Sequence, residues 1–131
     1  RFWCSKFAVG TPYTDYIPVI RYAEVLLNLA EALANLNGLD TRATALLNAV
    51  RGRSDATTIF KPLDKTELLN LIINERRIEF LGEGMRNTDI LRLLQTIPAK
   101  GSIAAKAPSE QGYIWPISSD ELSLNRLMTD N

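Results

Sequence analysis

Hydrophobic and polar residues in segment 18–37, PVIRYAEVLLNLAEALANLN, repeat with the period of an α-helix. Its polar residues recur at alternating steps of three and four, at Arg21, Glu24, Asn28, Glu31 and Asn35. At about 100° per residue they form a seam roughly 80° wide, and apolar residues fill most of the remaining circumference. Pro18 suits the first helical position and Gly38 suits a helix end. The pattern predicts a central helix over 18–37 that protein covers on two sides.

A short turn at 37–39 separates this helix from a second helical pattern. Asp40 can cap the second helix, whose apolar face follows the spacing i, i+3, i+4, i+7 and contains Ala43, Leu46, Leu47 and Val50. Two helices joined by so short a turn are antiparallel neighbours, with the dimensions of one tetratricopeptide-like unit. Such units need about three copies to bury their own faces, and the sequence contains no second copy.

Two further helices are predicted before residue 98. A capping box at Asp64 and Glu67 starts a third helix that runs to about Leu81. A shorter fourth helix is predicted over Thr88–Gln95, and Pro98 stops it. The residues predicted to face inward on the fourth helix are Ile90, Leu91 and Leu94, and the apolar residues of the third include Leu68, Leu69, Ile72, Ile73, Ile78 and Phe80.

Both ends of the chain lack a long periodic segment. The tail is rich in small and polar residues, apart from a short apolar stretch at 113–117 and a capping box at Ser118 and Glu121 that predicts one more helical turn. We therefore predict a single all-α domain over residues 1–131. It contains an extended lead-in (1–16), a helical part with the tetratricopeptide-like pair (17–97) and an irregular C-terminal tail (98–131).

Composition argues against several classes of function. The chain has 15 basic and 15 acidic residues, so no net field favours nucleic acid. Histidine is absent, which removes the usual general base and the usual zinc ligand. Gly82-Glu83-Gly84 lacks the Lys-Ser/Thr of a phosphate-binding loop. We predict no cofactor and no metal site, and we interpret Cys4, the single cysteine, as a structural thiol.

Five short segments, in this order, resemble the C-terminal part of SusD/RagB-family proteins. They are IRYAE at 20–24, LNAVR at 47–51, ERRIEF at 75–80, GEGMR at 82–86 and PISSDE at 116–121. Each is weak alone, but their order is specific, and the resemblance covers about residues 16–126. The chain departs from the family at Asn87 and Thr88, where bulky aromatics are usual, and at Asn125-Arg126, where Asn-Pro is usual.

The resemblance implies a mostly helical lipoprotein at the cell surface, on the bacterial outer membrane. Such proteins bind glycans or other large nutrients, act as a lid over a SusC-like TonB-dependent transporter, and do no chemistry. Family members are several times longer than this chain, so the resemblance implies a scaffold segment whose lipid anchor lies upstream. The alternative is a tetratricopeptide-like adaptor that binds protein segments, which would require at least two further helix pairs.

Three carboxylates at i, i+4 spacing, on Glu75, Glu79 and Glu83, resemble the paired acids of a glycosidase. Neighbouring arginines offer planar forks for these carboxylates, so we predict a structural ion-pair network and no catalytic residue. In particular, Glu75 and Arg86 are expected to be partly buried and to join the third helix to the fourth. The predicted network contains Glu75, Arg76, Arg77, Glu79, Arg86 and Asp89.

Aromatic side chains on the irregular lead-in are the candidates for stacking on sugar rings, because an aromatic face covers the apolar face of a pyranose. We predict Trp3 and Tyr13 as ligand-binding residues, and we assign Tyr22 and Trp115 to the core. A group of basic residues with interleaved aspartates is interpreted as a solvated face; it contains Arg42, Arg51, Arg53, Lys61 and Lys65.

Overall fold

The computed structural model describes residues 6, 7, 10–12, 15, 16, 18–125 and 127–129. Within these residues the secondary structure is helical, with two isolated antiparallel bridges and no strand. The helices are α1 (Tyr22–Asn37), α2 (Thr41–Ser54), α3 (Lys65–Glu79), α4 (Met85–Arg92) and α5 (Ser119–Leu124). The all-α prediction is confirmed. No helix among the described residues is long and apolar enough to cross a membrane.

The chain divides into two compact units, one ending at Arg86 and the other starting at Asn87. In the first unit α1, α2 and α3 pack against one another around an apolar core. The predicted inner faces of α2 and α3 supply most of the larger core residues, because their apolar spacing brings those side chains to one side of each helix. The fully buried leucines and isoleucine are Leu27, Leu47, Leu68 and Ile72.

Helix α1 begins four residues later than predicted, at Tyr22 instead of Pro18. Arg21 has an extended backbone (φ −139°, ψ 155°), and its carbonyl accepts the first helical bond from Glu24 at 2.9 Å. The helix ends at Gly38 as predicted: φ there is +80°, a value that glycine adopts without steric cost, and its N–H donates to Ala34 at 3.0 Å.

The predicted caps of the next two helices are present. The Asp40 carboxylate accepts from the Ala43 N–H at 2.8 Å, and the Asp64 carboxylate accepts from the Glu67 N–H at 2.8 Å. Glu67 reaches back to the N–H of Leu63 at 2.7 Å, one residue before the group that a capping box predicts. These bonds fix the starts of α2 and α3.

Helix α1 was predicted to be covered on two sides, but described residues of its own unit bury only one side. The buried face contains small residues, Ala23, Ala30 and Ala34, together with Leu27. Alanine at these positions lets α2 and α3 approach closely. The opposite side carries larger apolar residues in water, and Tyr22, which was assigned to the core, is 75% exposed. That assignment is wrong, because the ring points away from the three-helix core.

The boundary between α3 and α4 also differs from prediction. Helix α3 ends at Glu79, and α4 begins at Met85, three residues before the predicted start. Gly84 provides the change of direction with φ +78°. Leu94, which was predicted to face inward, is exposed, and so is Ile78, one of the apolar residues of α3. Leu94 lies beyond the end of α4 in a left-handed conformation with φ +49°, so the helical period no longer sets its direction.

The second unit is loop-rich, as the sequence predicts. Antiparallel bridges join Ile97 to Lys106 and Lys100 to Ile103. The Ser118 hydroxyl caps α5 by accepting from the Glu121 N–H at 3.2 Å, which is the N-cap bond of the predicted second capping box. The buried Tyr113 hydroxyl donates to the carbonyls of Gln95 at 2.7 Å and Ile90 at 3.2 Å, and so fixes the end of α4 to the loop.

Candidate functional site

The densest group of charges in the first unit lies where α1 begins and α3 ends. The Arg21 guanidinium donates from Nε to the Glu83 carboxylate at 3.0 Å, and its Nη2 lies 2.8 Å from the other Glu83 oxygen. The same guanidinium binds both the side chain and the backbone carbonyl of Glu79. Arg21 therefore joins the start of α1 to the last residue of α3 and to the turn that follows.

Two further cations complete this group. Lys6 donates to the Glu79 carbonyl at 2.9 Å and forms an ion pair with Glu83. Arg53, from the end of α2, forms an ion pair with Glu79, although its own side chain is 60% exposed. Both carboxylates are nearly buried, with side-chain exposures of 6% for Glu79 and 8% for Glu83. We refer to Lys6, Arg21, Arg53, Glu79 and Glu83 as the Arg21 cluster.

Electrostatics in the Arg21 cluster favour the charged forms. Burial alone raises the pKa of Glu83, but hydrogen bonds and positive charge from Arg21 and Lys6 outweigh it and hold that pKa below its ordinary value. Burial likewise lowers the pKa of Arg21, whereas hydrogen bonds to Glu83 and Glu79 raise it, with a net increase. The cluster is therefore a set of satisfied ion pairs, and Glu83 is ionised at neutral pH.

The Phe80 ring lies close to the guanidinium groups of two arginines, Arg21 and Arg76. The guanidinium carbons of Arg21 and Arg76 lie 4.8 and 5.4 Å from the centroid of the Phe80 ring. Phe80 is buried, and Arg76 also donates to the side-chain oxygen of Asn28 on α1. Cation–π contacts of this kind add to the ion pairs, so the ERRIEF segment binds α1 through both charge and packing.

A second buried carboxylate, Glu75, has a different environment. Its Oε2 lies 3.6 Å from Nε of Arg51, and neither of these two buried atoms has a hydrogen-bond partner among the described residues. Burial raises the pKa of Glu75, the charge of Arg51 opposes the increase, and the charge of Glu79 adds to it. The predicted contact between Glu75 and Arg86 is corrected: Glu75 lies on the face of α3 that packs on α2, so the cation it meets is Arg51.

The other members of the predicted network occupy separate places. Asp89 on α4 is buried and pairs with Arg92, whose Nε and Nη2 lie 2.9 and 2.8 Å from Oδ1. Arg86 is half-buried and Arg77 is exposed. A place for Arg77 in a network with Glu75 stays a prediction. For Arg86 the prediction is replaced, because Arg51 is the arginine beside Glu75.

Sequence reasoning assigned three of the arginines to the wrong environment. Arg21 was counted in the polar seam of α1, and Arg51 and Arg53 in a solvated basic face. The structure brings all three to carboxylates of α3 or the turn after it, and the Arg51 side chain is only 20% exposed. The sequence did contain a signal for the contacts of Arg51 and Arg53. These arginines end α2, the glutamates end α3, and they are the main opposite charges on two adjacent helices.

Aromatic residues predicted to bind sugar are not among those that the structure describes. Trp3 and Tyr13 lie outside the described residues, and their role stays a prediction. Trp115, which was assigned to the core, is 88% exposed, so that assignment is wrong. Tyr113 takes the buried position in this segment, because its hydroxyl can satisfy carbonyls at the end of α4.

Two open grooves lie at the surface, one in each unit. The first has a volume of about 240 Å³ beside the start of α2, and the second, about 350 Å³, follows the loop 108–114. The first groove is lined by Leu39, Asp40, Thr41, Thr44, Phe60, Lys61 and Pro62. Its one carboxylate, on Asp40, already accepts bonds from Asn37 and Ala43, and no group of three potential metal ligands occurs among the described residues.

Comparison with known proteins assigns the chain to a family. The SusD family profile matches residues 7–131, nearly the whole chain. The chain belongs to the SusD family. Two curated relatives come from Formosa agariphila: SusD-like protein P2 is 35% identical over 130 residues, and SusD-like protein P38 is 34% identical over 109 residues. These alignments cover 90% and 77% of this SusD-family chain, but only 26% and 21% of the relatives.

Solved structures of the SusD superfamily share the fold of this chain. A protein from Bacteroides fragilis is 39% identical, with a TM-score of 0.65 over 88% of this chain and 30% of its own. A SusD-like carbohydrate binding protein from Bacteroides vulgatus ATCC 8482 is 28% identical, with a TM-score of 0.70 over 84% of this chain and 29% of its own. This SusD-family chain thus spans between a fifth and a third of the proteins it matches.

Proposed function

We propose that this chain is the helical scaffold segment of a nutrient-binding protein that captures oligosaccharides at the cell surface. The observation that carries the proposal is the family match over residues 7–131, together with the shared fold of the B. vulgatus carbohydrate binding protein. The packed three-helix core and the Arg21 cluster fit a rigid support. The protein is anchored to the outer membrane by a lipid upstream of this segment, and it delivers its ligand to a SusC-like TonB-dependent transporter.

The proposed function is binding without catalysis. The carboxylates that resemble a glycosidase pair are already engaged: Glu79 and Glu83 bind Arg21, and Glu75 is 2% exposed. A retaining or inverting glycosidase needs one acid to protonate the leaving oxygen and a second to reach the sugar or a water. Carboxylates held in buried ion pairs cannot approach a polysaccharide, which supports binding over hydrolysis.

Glycan-array screening tests the proposal, with this chain placed in a full-length family protein and the positive glycans titrated by calorimetry. We expect micromolar-range binding of at least one oligosaccharide class, since a few aromatic stacking contacts supply affinities of this order. Trp3→Ala and Tyr13→Ala are each expected to weaken binding about tenfold. Tyr22→Ala is the control, because Tyr22 is an exposed aromatic that lies on α1, outside the lead-in. A folded protein that binds no glycan would contradict the proposal.

The transporter partnership is tested separately. Affinity purification of the tagged full-length protein from outer membranes is expected to recover a TonB-dependent barrel in near-stoichiometric amount. Recovery of soluble binding partners in its place would favour the tetratricopeptide-like adaptor. Release of reducing sugar from a bound oligosaccharide, lost in Glu75→Gln or Glu79→Gln, would instead favour an enzyme.

A further inference from the structure

The turn between α1 and α2 contains the one Asn-Gly pair of the sequence. Asn37 is the last residue of α1, Gly38 follows it, and no other asparagine of the chain precedes a glycine. Asparagine is among the thermally labile residues. Its side-chain amide can be attacked by the backbone nitrogen of the next residue, and glycine, which has no Cβ, hinders that nitrogen least. The pair is therefore a candidate site for a modification that needs no enzyme.

The structure leaves this pair accessible. Asn37 is exposed, and Gly38 has φ +80° and ψ −130°. Around the position that a Cβ would take on Gly38, no heavy atom of a described residue other than its chain neighbours lies within 4 Å. Water and hydroxide can therefore approach both the side-chain amide and the nitrogen that would attack it.

Two hydrogen bonds restrain the pair. Nδ2 of Asn37 donates to Oδ2 of Asp40 at 2.7 Å, and the Gly38 N–H donates to the Ala34 carbonyl at 3.0 Å. The bond from Asn37 is also the largest cause of the lowered pKa of Asp40. An N–H inside a helical hydrogen bond loses its proton only when the turn opens, as in amide hydrogen exchange. The rate of attack should therefore depend on how often the last turn of α1 opens.

We propose that Asn37 is the site of spontaneous deamidation in this protein and that its hydrogen bond to Asp40 restrains the reaction. The Gly38 nitrogen forms a bond to Cγ of Asn37 and gives up its proton. The bond from Cγ to Nδ2 breaks, and ammonia leaves with that proton. Water then opens the succinimide ring: breaking the ring bond to Cγ gives aspartate, and breaking the ring bond to the main-chain carbonyl carbon gives isoaspartate. The proposal does not depend on glycan binding.

The product would weaken the turn that joins the two helices. Aspartate at position 37 loses the donor to Asp40, faces that carboxylate with a like charge, and adds negative charge at the C-terminal end of α1. Asn37→Asp reproduces this product and is expected to lower Tm by roughly 3–6 °C. Asn35→Asp is the control, because Asn35 lies on the same turn but donates to the Glu31 carbonyl, and at most about 2 °C is expected. Equal shifts would contradict a role for the contact with Asp40.

The reaction itself is tested by incubating the whole chain in mildly alkaline buffer. Peptide mass spectrometry that separates aspartate from isoaspartate follows every asparagine, and Asn37 is expected to react at least about tenfold faster than any other. Asp40→Ser keeps a residue that caps α2 but shortens the side chain that reaches Asn37, and is expected to raise the rate roughly threefold to tenfold. Asp64→Ser is the matched control, because Asp64 caps α3 through the Glu67 N–H. In urea the rates at Asn37 should become equal for wild type and both variants.

Three outcomes would overturn the proposal. Comparable deamidation at another asparagine of the folded chain would mean that Asn37 is not the selected site. Reaction of Asn37 in urea but not in the folded chain would mean that the turn does not open enough. Equal rates for Asp40→Ser and Asp64→Ser would mean that Asp40 does not restrain the reaction. Circular dichroism checks that each variant keeps its helices. If Asp40→Ser does not, Asp40→Asn replaces it, since asparagine also caps a helix and its neutral amide binds Asn37 more weakly.

Discussion

Two glutamates eight residues apart, Glu75 and Glu83, show how differently this fold treats a buried carboxylate. Both side chains are nearly inaccessible, with exposures of 2% and 8%, and both lie beside an arginine. The pKa of Glu83 is lowered and that of Glu75 is raised. Burial is the largest influence on both groups and raises both pKa values, so it does not explain the difference.

Hydrogen bonding explains why the pKa values of Glu83 and Glu75 shift in opposite directions. Glu83 accepts from Arg21 and Lys6, which replace the water that burial removes. Glu75 faces Arg51 across 3.6 Å, and the two facing atoms make no hydrogen bond to a described residue. A charge at that distance offsets only part of the cost of desolvation. Two arginine–glutamate pairs whose glutamates are eight residues apart can therefore contribute to stability with opposite signs.

Removing the shared cation gives the largest expected effect. Arg21→Met is expected to lower the free energy of unfolding by about 3–5 kcal/mol, because it leaves two nearly buried carboxylates, on Glu79 and Glu83, with fewer donors. Methionine keeps most of the side-chain packing against Phe80. Urea denaturation monitored by circular dichroism measures the change.

Arg53 supplies the control for this experiment. It pairs with the same Glu79 carboxylate, but its side chain is 60% exposed, so Arg53→Ala is expected to cost less than about 1 kcal/mol. If the Arg21 and Arg53 variants lose the same free energy of unfolding, the burial of the arginine does not determine how much its ion pair stabilises the fold.

Removing the charge of Glu83 gives the next largest effect. Glu83→Gln is expected to destabilise the fold by roughly 1–3 kcal/mol at pH 7, because hydrogen bonds to a charged group become neutral ones. The folded-state pKa is lowered, so the contribution of Glu83 is present above its unfolded-state pKa and is lost as pH falls through the folded-state value. The difference between wild type and variant should therefore shrink in acid, as unfolding titrations between pH 7 and pH 3 can show.

An uncharged hydrogen bond provides a reference for these ionic effects. The Tyr113 hydroxyl in the second unit donates to the carbonyls of Gln95 and Ile90. Tyr113→Phe keeps the ring and is expected to cost about 1 kcal/mol, because it removes a hydrogen bond between neutral groups. Amide hydrogen exchange in the second unit measures this change. A loss as large as that of Glu83→Gln would show that charge adds little to the bonds of the Arg21 cluster.

Helical periodicity predicted most of the first unit, because local spacing determines which side chains reach a core. The inner face of α2 and the caps at Asp40 and Asp64 follow from residues within one turn of each other. Partners in the Arg21 cluster are different: Arg21 and Glu83 are 62 residues apart, and no local pattern couples them. Sequence spacing identified the carboxylates but not the cations that bind them.

Exposure was the least predictable property. Tyr22 was assigned to the core because it lies in the central helix, and Trp115 because it lies in the segment around Pro116-Ile117 that resembles the family, yet both are exposed. An apolar residue is buried only if another element lies over it, and the periodicity of one helix does not specify the second element. Helix α1 is the clearest case, since its apolar pattern was interpreted as covered on two sides, yet Tyr22 and Leu36 are 75% and 82% exposed.

The smallest expected effect is that of a substitution at Glu75, the buried carboxylate without a hydrogen bond to Arg51. The folded-state pKa of Glu75 is raised by burial, so its favourable contribution is present below the unfolded-state pKa and is lost as pH rises through the folded-state value. Above that pKa the ionised side chain destabilises the fold, and Glu75→Gln is expected to leave stability unchanged or to increase it by up to about 1 kcal/mol. The amide oxygen of glutamine keeps a partial negative charge beside the Arg51 guanidinium, so the substitution does not leave that cation facing an apolar group. The gain should disappear as pH falls below the folded-state pKa, where wild-type Glu75 becomes neutral as well. A loss of stability at pH 7 comparable with that of Glu83→Gln would mean that the 3.6 Å ion pair stabilises the fold without hydrogen bonds, and that proximity alone is sufficient.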